Sequence, residues 1–170
     1  LRPRRARRSG DARRAGELAL ESFALAIGSP RLLAGTAVVM VVSAFFLKAA
    51  IVPFHGWAPD AYEAASVPST AFMAVLVKVG VLIAAARVFG TAHVAEPLAG
   101  LLAILPLASI VWGNLAAIRQ AGLRRMIAYS SIAHAGYLFF AFLGDGPGRF
   151  QAVMFYLAAY GVMNLLAFAA

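Results

Sequence analysis

What most limits the possible folds of this chain is a series of apolar runs, each about as long as a membrane is thick. Leu32 to Val52 is 21 residues with a single charge, Lys48. At 1.5 Å per residue such a run spans about 30 Å, the depth of a bilayer's hydrocarbon core. Comparable runs follow at 68–89, 98–118, 126–143 and 150–170. Hydrophobic residues make up 62% of the chain and charged ones 13%, against roughly 45–50% and about 25% in soluble domains. In lipid every backbone polar group must be satisfied internally, and runs of this length achieve that as helices. The pattern predicts an all-α, polytopic transmembrane helix bundle.

The first run is not a simple crossing. Val52 is followed by Pro53, yet the sequence stays apolar through Phe54, Trp57 and Tyr62, so 32–65 is too long for one straight helix. Proline removes a backbone donor and clashes with the preceding turn. This predicts a discontinuous, Pro-broken helix with a second half from about 54 to 65. Breaks at membrane depth persist where protein or a water-lined cavity satisfies the freed backbone, and in transporters they mark the site. His55, Trp57, Asp60 and Glu63 all fall in this broken stretch.

Lys48 and Lys78 are the only lysines, and both lie inside apolar sequence. Pro68 falls in the first turn of the next helix, where its missing N–H costs nothing. Lys78 is ten residues in, roughly 15 Å deep and near the bilayer midplane. Ionisable groups at such depth are expensive and point to ion or proton pathways. Arg87 is close enough to an interface to snorkel. Further along, Pro106 predicts a kink and Asn114 a hydrogen bond between helices. Ser130, His134 and Tyr137 share one helical face. The stretch 144–148, rich in glycine, reads as a turn.

The net charge of +8 is concentrated at the start: residues 1–31 hold eight arginines against Asp11, Glu17 and Glu21. This segment reads as an Arg-rich leader or interfacial arm, with a short amphipathic helix within 17–27, and residues 32–170 as the transmembrane region. The segment is too long and too charged for a signal peptide. A nucleic-acid partner needs an accessible basic face, which the remaining chain lacks. With no cysteine, disulfides, iron–sulfur clusters and thiolate metal sites are excluded. The chain opens without methionine and stops within an apolar run, the pattern of a fragment. The basic loop 119–125 belongs on the side of Asp60 and Glu63, which the positive-inside rule places in the cytoplasm; the leader arginines then fall on the opposite side, against that rule.

Two long motifs carry a resemblance: Lys48 followed by Val52-Pro53-Phe54-His55-Gly56-Trp57-Ala58-Pro59-Asp60-Ala61-Tyr62-Glu63 with Lys78 in the next helix, and Ala128-Tyr129-Ser130-Ser131-Ile132-Ala133-His134-Ala135-Gly136-Tyr137 after Arg124-Arg125. Over roughly 32–170 the chain resembles the antiporter-like membrane subunits of respiratory complex I, and among them the subunit N branch of bacterial NADH-quinone oxidoreductases. The leader does not match that pattern. The resemblance implies a multi-pass subunit of the cell inner membrane that moves protons beside other membrane subunits, in contact with lipid. It implies no cofactor in this chain, with NADH, flavin, iron–sulfur clusters and quinone elsewhere in the assembly. It maps the broken-helix lysine onto Lys48 and the connecting lysine onto Lys78; the family's partner glutamate and further lysine lie outside this sequence.

From the residues themselves, desolvation and a nearby like charge both disfavour an ammonium, so two buried lysines form a coupled pair in which protonating one eases release from the other. His134, which titrates near neutrality when free, is the natural third station. The plainer readings are that His134 bonds a neighbouring helix, that His55 orders the turn, that Asp60 and Glu63 pair with Arg124 or Arg125, and that Trp57 and Tyr62 pack. No nucleotide loop, metal constellation or nucleophilic triad is present, so catalysis as an oxidoreductase would belong to the assembly. The competing functions are a cation/proton antiporter or membrane-hydrogenase subunit, a structural scaffold, and a non-functional fragment.

Overall fold

The computed structural model describes residues 32–89, 96–142 and 148–169; side chains of 32–35 and 96–102 are outside the description, as are the leader 1–31, His93 and Asp145. Among the described residues there are six helices and no strand. Helix α1 is Leu32–Ala49, α2 Trp57–Ala64, α3 Val67–Phe89, α4 Glu96–Ile118, α5 Leu123–Ala141 and α6 Arg149–Ala169. At 23 and 21 residues, α3 and α6 are each long and apolar enough to cross a membrane, about 34 and 32 Å.

The core joins four of them. Val42 and Phe46 of α1, Leu82 and Ala85 of α3, Leu138 and Phe139 of α5 and Leu157 of α6 bury together, with Phe46 set edge-to-face on Phe139 at 5.3 Å between ring centres. The outward surface is equally apolar: Met40, Ile104, Ile118, Phe155 and Leu166 are all exposed. A helix hydrophobic all round is at home in lipid or among other helices.

Helices α4 and α5 approach most closely, and glycine is the reason. A methyl placed on Gly136 would stand 2.6 Å from the Pro106 carbonyl oxygen, and one on Gly113 2.8 Å from the Tyr129 carbonyl oxygen. Small residues that let backbones meet are the usual device of membrane helix pairs. Pro106 lies within the continuous helix α4. Asn114 does not bridge helices: its Nδ2 donates to the Ile110 carbonyl of its own helix at 2.8 Å, because the side chain faces outward.

The interruption of the first run begins before Pro53. Helix α1 ends at Ala49, and Ala50 takes the left-handed conformation with φ 62°. Its N–H donates to the Leu47 carbonyl at 3.2 Å, while the Ile51 N–H donates to Phe46 at 2.8 Å. This 5→2 and 6→1 pair is a Schellman closure. Ile51 and Phe46 are both fully buried, supplying the apolar contact that accompanies it. Proline at 53 would set its ring against the carbonyl of residue 49 in any continuing helix, and 49 is where α1 stops. The second half starts at Trp57, later than the expected 54, since 52–56 are taken up by turns.

Candidate functional site

The break is held by side chains as well as backbone. Val52 N–H donates to the Ser109 hydroxyl of α4 at 2.7 Å, and that hydroxyl donates in turn to the Leu105 carbonyl at 3.0 Å. Trp57 donates its indole N–H to the Leu47 carbonyl at 3.0 Å. Buried backbone groups left without partners are costly; Ser109 takes up a donor that the missing helical turn leaves, and Trp57 adds a second donor to the Leu47 carbonyl that Ala50 already meets. The His55 ring stands edge-on to Trp112, 6.1 Å between centres, and its Nδ1 is buried with no hydrogen-bond partner among the described residues.

Helix α3 carries Lys78. A π-helical turn, Met73–Val77, immediately precedes it; one extra residue in a turn rotates the rest of the helix by about 100° relative to an unbroken α-helix. Lys78 is 4% exposed. Its Nζ donates to the Ser131 carbonyl of α5 and stands 5.5 Å from the centre of the Tyr160 ring of α6. Among the described residues no carboxylate pairs with it. The hydroxyls of Ser131 and Tyr160 are themselves buried and lie close to one another.

Against the same Tyr160 ring lies His134 of α5, 5.1 Å between ring centres. Its ring is also flanked by Tyr156 and Tyr137, and its Nδ1 is hydrogen-bonded to the Tyr156 hydroxyl at 2.6 Å. Lys78 and His134 therefore meet the same aromatic ring, with Ser131 about one helical turn before His134 on α5.

The chain as a whole is similar to known membrane proteins. The family model described as NADH:quinone oxidoreductase/Mrp antiporter, TM, matches residues 14–170. The chain belongs to that membrane family. Among its relatives, NADH-quinone oxidoreductase subunit N of Pelobacter propionicus is 42% identical over 152 residues, 89% of this chain and 33% of the relative. Subunit N 2 of Acidobacterium capsulatum is 38% identical over 164 residues, 90% of this chain and 33% of the relative. In the solved structure of the membrane-bound sulfane sulfur reductase, an archaeal respiratory membrane complex, one chain superposes with a TM-score of 0.68 at 30% identity, covering 74% of this chain and 26% of that one. The chain spans about a third of the length of the curated relatives.

As a stretch of an NADH:quinone oxidoreductase/Mrp antiporter subunit, the chain brings together some of the residues singled out in the sequence and separates others. Lys78 and His134 share a site. Lys48 does not join them: its side chain is exposed among the described residues. It occupies the last turn of α1, where the side chain overlooks a cleft of about 620 Å³ lined by Phe45, Val77 and Gly80 among others, and a cation there complements the helix C-terminus. Asp60 and Glu63 pair with Arg125, at 3.4 and 2.9 Å. Arg124 donates to the carbonyls of Glu63 and Ala65 at 3.3 and 3.4 Å, at the end of α2. Tyr62 is buried in the core. Sequence reasoning passed over Ser109, Ser131, Tyr156 and Tyr160. Tyr160 follows Tyr156 by four residues and so shares its helical face, a signal that was present. Ser131 acts on Lys78 through its carbonyl, which no side-chain identity reveals. Among the described residues no group of three or more His, Asp or Glu lies together as a metal site.

Proposed function

We propose that the chain is the middle portion of a proton-translocating subunit of an NADH:quinone oxidoreductase in the cell inner membrane, with protons passing by way of Lys48, Lys78 and His134. Quinone reduction, with its flavin and iron–sulfur centres, belongs on this reading to other subunits of the assembly, which are also its membrane partners. The names of the relatives support the assignment, and so does the chemistry of one side chain. The carrying observation is Lys78: a buried amine whose described partners are a neutral carbonyl and an aromatic face.

A salt-bridged lysine would be fixed in its charged form, because separating a buried pair is costly. Lys78 has instead the Ser131 carbonyl, which accepts a hydrogen bond from an amine as well as from an ammonium, and the Tyr160 face, which attracts the cation modestly. Both protonation states are accommodated without rebuilding the site. A charge arriving at the Lys48 cleft would then favour release from Lys78, and the His134 imidazole, against the same Tyr160 ring, offers the next nitrogen that can carry a proton. The buried Ser131 and Tyr160 hydroxyls add polar groups beside Lys78 and His134.

The test is Lys78→Met in the complete subunit within its membrane complex, reconstituted in vesicles. Methionine preserves length and apolar packing while removing the titrating group. The expected result is an assembled complex whose proton translocation falls at least about tenfold, equivalent to about 1.4 kcal/mol in the barrier. Assembly with unchanged translocation would refute the relay; failure to assemble with normal pumping in the complex that remains would assign the lysine to a scaffold.

A further inference from the structure

The geometry points to Tyr156 as a further proton carrier, receiving from His134 and delivering into a cleft between α5 and α6. This rests on the proton-translocating reading above and adds to it an exit residue. Three observations carry it. The His134 Nδ1 to Tyr156 hydroxyl contact, at 2.6 Å, is short even for a hydrogen bond to a phenol. It joins two helices, α5 and α6, through residues 22 positions apart in sequence. And Tyr156, together with Tyr137, lines a cleft of about 320 Å³ whose other walls are Leu138, Ala141, Ala152 and Val153. The two tyrosines are the cleft's hydroxyl-bearing residues in an otherwise apolar, partly open lining, so water that enters has their hydroxyls as side-chain partners.

The arrangement separates the two nitrogens of the imidazole. Nδ1 is committed to Tyr156, which leaves Nε2 to accept a proton. With His134 neutral and protonated on Nδ1, a proton arriving at Nε2 forms the imidazolium. The Nδ1 proton then passes to Tyr156 Oη as the phenol's own proton passes to water in the cleft. One proton enters at Nε2 and one leaves at Oη; the phenol stays neutral and the histidine ends as the other tautomer, hydrogen-bonded to Tyr156 in the reverse sense. Rotation of the ring and hydroxyl, or return of the proton shift, restores the start. The ionisable groups around the pair are Tyr137 on α5, Tyr160 on α6 and Lys78 on α3, the last standing against the Tyr160 ring.

Two variants of the complete complex in vesicles test this. Tyr156→Phe keeps the ring against His134 and removes Oη; proton translocation is expected to fall roughly a hundredfold, the lower end of what a positioned proton-transfer side chain supplies. Replacing Tyr156 with 3,5-difluorotyrosine keeps size and hydroxyl but makes the phenol more acidic, and is expected to move the pH profile of translocation; a hydroxyl that only holds the histidine would not move it. Wild-type translocation in Tyr156→Phe overturns the proposal. So does a difluorotyrosine profile that superimposes on the wild type, including the case where Tyr156→Phe fails to assemble. Either result leaves the Lys78→Met outcome untouched, so the exit residue and the relay fail separately.

Discussion

Two lysines, thirty positions apart in apolar sequence, come to opposite settings. Lys78 is enclosed by three helices and bound to a carbonyl and a ring. Lys48 stands at the end of α1, exposed over a cleft. The difference lies in what the backbone does beside each one. At Lys78 a π turn rotates an unbroken helix so that the side chain enters the bundle. At Lys48 the helix stops, and the next residues, Ala50 and Ile51, enter the core in its place. One site binds its amine by position; the other leaves it free to respond to whatever charge approaches the cleft.

The strongest way to break that comparison keeps the charge at both sites and changes its shape. Arg is larger and forks into five donors. Lys78→Arg must fit a guanidinium where one carbonyl is offered, and a guanidinium does not release its proton. Translocation in the assembled complex is expected to drop by roughly a hundredfold, the lower range for a lost proton-transfer group. Lys48→Arg also loses the ability to titrate but fits its cleft, so both variants lose translocation while only Lys78→Arg also lowers thermal stability. Equal stability losses would erase the distinction between the two settings. Next in size is Gly136→Ala, whose new methyl would press on the Pro106 carbonyl, a backbone atom that cannot step aside. Overpacking of this kind costs about 1–3 kcal/mol. Since α5 presents Ser131 and His134, the expected outcome in a thermal-shift assay is lost stability accompanied by lower translocation.

Much of this is readable from the sequence. The helical membrane bundle follows from the lengths of the apolar runs, and the interruption of the first run from Pro53. The position of the break is less legible, because Ala50 has no sequence mark of a left-handed residue; glycine is the usual occupant there. Nor can the sequence distinguish the exposure of Lys48 from that of Lys78. Both lie in apolar runs, and which face of a helix meets a neighbour depends on packing between distant segments. The π turn before Lys78 is invisible for the same reason: Met73 to Val77 would be as content in an α-helix. His134 is legible as a candidate through its own chemistry, but its partner Tyr156 requires the α5–α6 contact.

Ala50 offers a smaller lever on the Lys48 side. A β-branched residue at positive φ is a true outlier, and Ala50→Val is expected to cost about 1–3 kcal/mol, read as a lower unfolding temperature in detergent. The Lys78 site, on α3, should keep its local structure, measured as unchanged accessibility of a cysteine probe introduced at Ser131, whose carbonyl Lys78 meets. Ser109→Ala acts on the same break from α4. It leaves the Val52 N–H without its acceptor, a loss of about 1–3 kcal/mol for a buried donor, and should move with Ala50→Val rather than with Lys78→Arg.

The least effect is expected from Arg125, which joins the break to the Lys78 site at the polar end of the bundle. It pairs with Asp60 and Glu63 of α2 while standing in the first turn of α5, so it ties the half-helix beyond Lys48 to the helix that carries Ser131. The carboxylates are well exposed, and exposed ion pairs contribute little and are screened by salt. Arg125→Ala should therefore leave stability close to wild type at high ionic strength, with any difference confined to low salt. Arg124 would still reach the carbonyls of Glu63 and Ala65 and keep the two helices in contact. A large, salt-independent loss of translocation in Arg125→Ala would mean that the two lysine settings are coupled through this end of the bundle, and that the contrast between them is maintained by charge rather than by packing.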